Sequence, residues 1–201
     1  MSRSSTNRKR KAIIEKSIDN FGDDGEKTFV GHGGFGDREA FKKECATLEK
    51  LRHPNIVAYI RSRNVSDGGQ QMLAIVMEFC EKGSLRQVLF DAKIIYSMRT
   101  VLTWSKQLFS VLTYLKQNDV IHRDIKPDNI LVTKNFLLKV GDFGSIKLKA
   151  DSCSGTFVGT LRYMSPPRAG EPVGRKDHFM SSHRNDVYSL GLVLWEIVEQ
   201  R

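Results

Sequence analysis

Cysteine is scarce in this 201-residue chain. Cys45, Cys80 and Cys153 are an odd number, far apart and without paired spacing, which excludes a disulfide-stapled scaffold and fits a reducing compartment. Long apolar runs are missing too. None approaches the roughly 20 residues that cross a bilayer, and the N-terminus lacks the apolar stretch of a secretory signal. No internal repeat is found. The expectation is a cytoplasmic protein with no membrane partner.

Acidic side chains are absent from the N-terminal run in which Arg3, Arg8, Lys9, Arg10 and Lys11 supply five of the nine net positive charges. Such a run reads first as a solvated, disordered tail, residues 1–20; a nuclear address or attraction to nucleic acid is the alternative. The remainder is only mildly basic. At 40% hydrophobic and 27% charged residues the chain is too apolar for disorder, and it is long enough to bury one large core or two small ones.

Glycine and helix-period signals divide the body. Thr28-Phe29-Val30 reads as a strand running into GHGGFG, Gly31 to Gly36. Phe41, Glu44, Leu48 and Leu51 share one helical face, and Pro54 bars continuation. Ile56–Val65 and Met72–Phe79 flank the turn Ser66-Asp67-Gly68-Gly69, which predicts an antiparallel hairpin. Trp104, Leu108, Val111, Leu112 and Leu115 then mark a long amphipathic helix from Val101, with Trp104 in its core face. Lys147–Arg184 has little periodicity and many Ser, Gly, Pro and charged residues, so it reads as a surface segment. A last helix, from Asp186 through Leu190, Leu194 and Ile197, reaches the C-terminus uncapped.

Two short blocks carry the chemistry. HRDIKPDN, His122 to Asn129, and DFG, Asp142 to Gly144, together resemble the catalytic and magnesium loops of eukaryotic protein kinases. Phosphoryl transfer asks protein for positioning and charge neutralisation more than for covalent chemistry. The resemblance therefore implies that Asp124 orients a substrate hydroxyl and takes its proton, while Lys126 offsets charge on the moving phosphoryl group. Asn129 and Asp142 would supply hard oxygen ligands for Mg2+. His122, Phe143 and Leu48 would form packing that joins two lobes.

The resemblance extends upstream. GHGGFG satisfies G-x-G-x-x-G, so Gly31, Gly33, Gly34 and Gly36 would cover ATP phosphates with backbone amides, and Glu44 would be the helix glutamate that pairs with a strand lysine. Met77-Glu78-Phe79-Cys80 looks like a gatekeeper and hinge. Glu78, Cys80 and Leu131 thereby join the nucleotide-binding set. Lys126-Pro127 and Gly159-Thr160 before Arg162-Tyr163-Met164 are serine/threonine patterns, with Thr160 bracing Asp124 and Lys126. Asp186 would hold the HRD backbone, the alternative being a helix N-cap. Arg123 would receive a regulatory phosphate on Ser152, Ser154 or Thr156.

Within the superfamily, MEFCEKGSL and GTLRYMSP resemble the kinases of the translation initiation factor 2 α subunit, above all the double-stranded-RNA-activated member, with mixed-lineage-like kinases as runner-up. No nucleic-acid-binding domain is evident. The partners implied are ATP, Mg2+ and a protein substrate, with a homodimer left open.

The pattern also breaks. Only Asp37 to Lys43, seven residues, separate Gly36 from Glu44, where a kinase has two strands, the second bearing V-A-I-K. Lys42 and Lys43 adjoin Glu44 on the helix, and helix neighbours do not face each other. Pro167 stands where A-P-E has its glutamate, and the helices that complete the family's large lobe are not present. The fold expected is α+β: a two-lobed kinase fold with a shortened antiparallel sheet in residues 21–79 and an incomplete, mainly helical lobe in residues 80–201. Three readings follow: an active kinase in fuller form, a nucleotide- or partner-binding pseudokinase, and an inactive truncated product.

Overall fold

The computed structural model describes residues 28–32, 45–67, 70–143, 147–148, 160–166 and 182–200. Two compact units result: Met1–Arg52 with Val57–Phe79, and His53–Ile56 with Cys80–Arg201. The architecture is α+β, with small antiparallel sheets and helices.

In the first unit, β1 (Thr28–His32), β2 (Tyr59–Asp67) and β3 (Gln70–Glu78) form one antiparallel sheet in the order β1-β3-β2. β2 and β3 are the expected hairpin, each shifted toward the turn, in a register that pairs Asp67 with Gln70 and Arg61 with Val76. β1 lies on the other side of β3, with Gly31 opposite Ile75. The strand start is clamped at Glu78: its N–H donates to Ala58 O, and its carboxylate accepts from Ala58 N–H, both at 3.0 Å. At Glu78 of the expected hinge, the backbone N–H is thus engaged with Ala58. Residues 45–50 are helical (α1) and bury Thr47 and Leu48.

The second unit is built on two long helices, and periodicity explains both. In α3 (Met98–Gln117) the buried residues Val101, Trp104, Leu108, Val111 and Leu115 recur at three- and four-residue steps. Each large side chain contributes about 1.5–3 kcal/mol on burial. Trp104 takes its core place, and its indole N–H donates to Phe136 O at 2.8 Å. α4 (His183–Glu199) starts earlier than its apolar residues suggest, because Ser182 accepts from Arg184 N–H as N-cap. Nor is it uncapped: Gln200 adopts a left-handed conformation and its N–H closes on Glu196 O. The short helix α2 (Leu85–Phe90) opens with a capping box between Ser84 and Gln87. Gly83 precedes it at φ 69°, where any Cβ would collide with the Gln87 amide.

Small paired strands set the loops between these helices. β4 (Val120–Ile121) pairs with β7 (Lys147–Leu148), and β5 (Ile130–Val132) with β6 (Leu138–Val140). One segment departs from the expected division at residue 79. His53–Ile56 belongs to the second unit, because Asn55 Nδ2 donates to Leu138 O at 2.8 Å, Val140 N–H donates to Asn55 O at 2.8 Å, and Ile56 bridges Val140. His53 Nδ1 accepts from Asn55 N–H while Nε2 meets Ser110 Oγ, each at 3.0 Å. Asn55 is buried, so Asn55→Ala leaves the Leu138 carbonyl without its donor. The expected cost is about 1–3 kcal/mol, read as a lower urea midpoint with unchanged slope; an unaltered midpoint would show that this anchor carries no stability.

Candidate active site

A buried carboxylate organises the loop after β4. Asp186, on the first turn of α4, accepts His122 N–H on Oδ2 at 2.8 Å and Arg123 N–H on Oδ1 at 2.9 Å. It is therefore a loop clamp and not the helix N-cap, which is Ser182. Burial pushes its carboxyl upward, and the two N–H bonds recover only part of that cost. The clamp holds Arg123 at φ 71°, a region that a non-glycine residue enters only when its surroundings compensate. His122 lies beneath, with its tautomer fixed by geometry. Gly141 O can only accept, so Nε2–H donates to it at 3.0 Å, leaving Nδ1 to face Asp124 N–H at 3.4 Å. The ring also meets Phe143 edge-on, centroids 5.0 Å apart.

Asp124 comes next and is surrounded by donors. Lys126 Nζ reaches its Oδ2 at 2.6 Å, and Asn129 Nδ2 donates to the same oxygen at 3.0 Å and to its carbonyl at 2.8 Å. Thr160 gives Oδ1 both its N–H and its hydroxyl, each at 3.0 Å, and Lys126 Nζ also donates to Thr160 Oγ1 at 2.7 Å. Burial alone raises the Asp124 carboxyl, but the Lys126 hydrogen bond and charge, with Thr160 and Asn129, bring it below the ordinary carboxylate value. Asp124 is thus an oriented carboxylate.

Asn129 sits on the 3-10 turn Pro127–Asn129, with Pro127 at its start. Both of its side-chain bonds use the amide nitrogen, which leaves the oxygen uncommitted. Asp142 stands one residue beyond Gly141, whose N–H is held by Asn129 O at 2.8 Å; it is exposed and at φ 54°. Among the described residues no three His, Cys, Asp or Glu side chains gather to hold a metal. The donor set still fits Mg2+, which takes one or two protein oxygens and completes its shell with water and phosphate.

Other expected site residues are placed less fully. Cys80 is buried and its carbonyl accepts from Gly83 N–H at 3.0 Å; Leu131 is half-buried in β5, opposite Lys139. Gly31 lies in β1. Gly33, Gly34, Gly36, Glu44, Gly144, Ser152, Ser154, Thr156 and Pro167 lie outside the described residues. Thr160 is committed to Asp124 and Lys126, as a brace.

The sequence pattern of the protein kinase domain matches residues 8–201. Serine/threonine-protein kinase Nek5 of Homo sapiens is 36% identical over 165 residues, 80% of this chain and 22% of that protein. Mitogen-activated protein kinase kinase kinase 13 of Homo sapiens is 36% identical over 163 residues, 80% of this chain and 16% of that protein. Serine/threonine-protein kinase Nek3 of Mus musculus is 34% identical over 164 residues, 80% of this chain and 30% of that protein. The chain belongs to the protein kinase family. It spans less than a third of the length of these relatives.

One part of this kinase site was not foreseen. Residues 147–184 read as surface, yet Tyr163, Met164 and Ser165 are buried. Ser189 Oγ donates to Tyr163 O at 2.7 Å and Ser165 Oγ donates to Asn185 Oδ1 at 2.9 Å, so α4 draws the segment inward. Tyr163 OH bonds Glu196 Oε1 at 2.8 Å, and burial followed by that carboxylate pushes the phenol up to about 12. Glu196 could have been suspected: it falls between Val193 and Ile197 on the buried face of α4, where a carboxylate needs a reason.

The pairing of Asp124 with Lys126 has a signed pH consequence. Lys126→Met strands a mostly buried carboxylate, costing on the order of a few kcal/mol at pH 7. Because the folded-state pKa of Asp124 lies below its unfolded value, the pairing stabilises the fold above the ordinary carboxylate pKa, about 3.9, and is lost as pH falls through the lowered value. Denaturant unfolding of both proteins between pH 7 and pH 3 is expected to show the stability gap narrowing with acid; a constant gap would contradict the pairing.

Proposed function

We propose that the second unit is the phosphoryl-transfer core of a serine/threonine protein kinase, moving the terminal phosphoryl group of Mg-ATP to a protein hydroxyl. The carrying observation is the Asp124 cluster, a carboxylate with one oxygen held by Thr160 and the other by Lys126 and Asn129. A carboxylate kept ionised and aimed can hold a serine or threonine hydroxyl and take its proton. Lys126, shared between Asp124 and Thr160, is the cation placed to offset charge on the transferring group. Asn129 through its oxygen and Asp142 through its carboxylate would hold Mg2+, which supplies neutralisation of phosphate charge when bound. Arg123 remains the proposed receiver of a regulatory phosphate on the segment after Asp142.

A second reading is favoured by one sequence fact. With only Asp37–Lys43 between Gly36 and Glu44, a strand lysine has no place, so the 201-residue polypeptide is read as a weak nucleotide binder and a poor catalyst, in effect a pseudokinase. The substrate is left at the level of protein serine or threonine. Phosphorylation of the initiation factor α subunit rests on MEFCEKGSL and GTLRYMSP alone. The similarity to mitogen-activated protein kinase kinase kinase 13 speaks instead for the mixed-lineage alternative.

Phosphotransfer to a mixed Ser/Thr peptide pool, with calorimetry of Mg-ATP binding, separates these readings. The 201-residue chain is expected to bind weakly and turn over barely, since one lost preorganised electrostatic donor costs about 10²- to 10³-fold. Inserting a V-A-I-K strand pair between Gly36 and Asp37, together with helices that complete the large lobe, is expected to restore transfer. Asp124→Asn or Asp142→Asn is then expected to lower it on the order of a hundredfold or more. Near-normal turnover in both substituted proteins would sink the assignment of roles, and robust turnover by the unaltered chain would show that another cation replaces the strand lysine.

A further inference from the structure

Arg86 lies on α2, away from both sequence blocks, yet its guanidinium spans two segments that orient Asp124. Nε donates to Asp128 Oδ2 at 2.9 Å, and Nη2 donates to Tyr163 OH at 2.8 Å. Asp128 precedes Asn129, the donor to Asp124 Oδ2; Tyr163 follows Thr160 by three residues on the same 3-10 turn, and Thr160 is the donor to Asp124 Oδ1. One rigid cation therefore ties together the segments holding the two oxygens of a single carboxylate. The tie continues beyond Tyr163, whose hydroxyl proton is directed to Glu196 Oε1, an oxygen also met by Arg162 Nη2 at 3.2 Å. Glu196 is 3% exposed and its second oxygen has no hydrogen-bond partner among the described residues, so this carboxylate depends on what reaches the first.

We infer that Arg86 is a positioning residue for phosphoryl transfer, setting the Asp124 carboxylate by bracing Asp128 against Tyr163. The inference rests on the kinase reading for the reaction it names, and on geometry for the positioning itself. Arginine is required because two different nitrogens are used at once. Lysine, with one ammonium point charge, serves one partner fully or both poorly. The brace is half-buried, with Arg86 and Asp128 side chains 31% and 34% exposed, and its worth lies in geometry more than in stability. An error of about 1 Å at such a carboxylate can cost roughly a hundredfold in rate.

The test uses the full 201-residue chain and needs no turnover. Exchange of the Thr160 amide and of the Asn129 side-chain amide, donors to the two Asp124 oxygens, is followed by NMR in the unaltered protein and in Arg86→Met, Arg86→Lys and Tyr163→Phe. Arg86→Met is expected to speed both exchanges about tenfold or more; Arg86→Lys recovers part of both. Tyr163→Phe leaves every formal charge in place, so faster exchange there too identifies a positional effect. Should Arg86→Met fail to fold, Tyr163→Phe decides alone, with Val111 amide exchange reporting that α3 is intact. Unchanged exchange in Tyr163→Phe overturns the inference, since any change in Arg86→Met would then be the direct effect of a lost charge.

Discussion

The carboxylate of Asp186 is the constraint on which this site depends. A loop leaving a two-residue strand has little sheet to shape it, and two successive N–H groups pointing the same way need an acceptor with two oxygens. Asp186 provides that acceptor from within α4, at 2.8 and 2.9 Å. Charge-assisted bonds of this kind are roughly twice as strong as neutral ones, which lets Arg123 occupy a left-handed conformation at φ 71°. With Arg123 turned, Asp124 emerges where Lys126, Asn129 and Thr160 can reach it. α4 is itself held in the core by Leu190, Val193 and Ile197, so the loop inherits rigidity from a helix.

Charge in this unit is arranged by burial. Asp124 is shielded yet surrounded by donors, and its carboxyl falls; Asp186 is more deeply buried with only two backbone donors, and its carboxyl rises. The same residue type thus serves two purposes according to its partners. Asn129 gives its amide nitrogen to Asp124 and keeps its oxygen free, an orientation that joins proton acceptance and cation binding in one network. α4 also leaves Val187, Tyr188, Trp195 and Val198 exposed.

Much of this was legible in the sequence, for identifiable reasons. α3 announced itself because Trp104, Leu108, Val111 and Leu115 repeat with helical period. HRDIKPDN and DFG were readable because each chemical role tolerates few residue types. What escaped was pairing at long range. No local pattern says that Asn55 belongs with Leu138, 83 positions away, or that Arg86 spans Asp128 and Tyr163. The buried Tyr163–Ser165 turn escaped as well, since its burial comes from α4 and not from its own composition. Helix ends were misjudged where a single residue decides them, Ser182 at the start and Gln200 at the finish of α4.

Asp186 therefore imposes the loop from which Asp124 projects. Amide hydrogen exchange at His122 and Arg123, compared between the unaltered chain and Asp186→Asn, tests it most directly. An asparagine offers one acceptor oxygen and sets its own NH2 against the second donor. Both amides are expected to exchange slowly in the unaltered chain. In the variant at least one of them should exchange about ten- to a hundredfold faster, while Val111 in α3 stays protected. Equal exchange in the two proteins would mean that the loop holds its shape without the clamp, and would contradict the account.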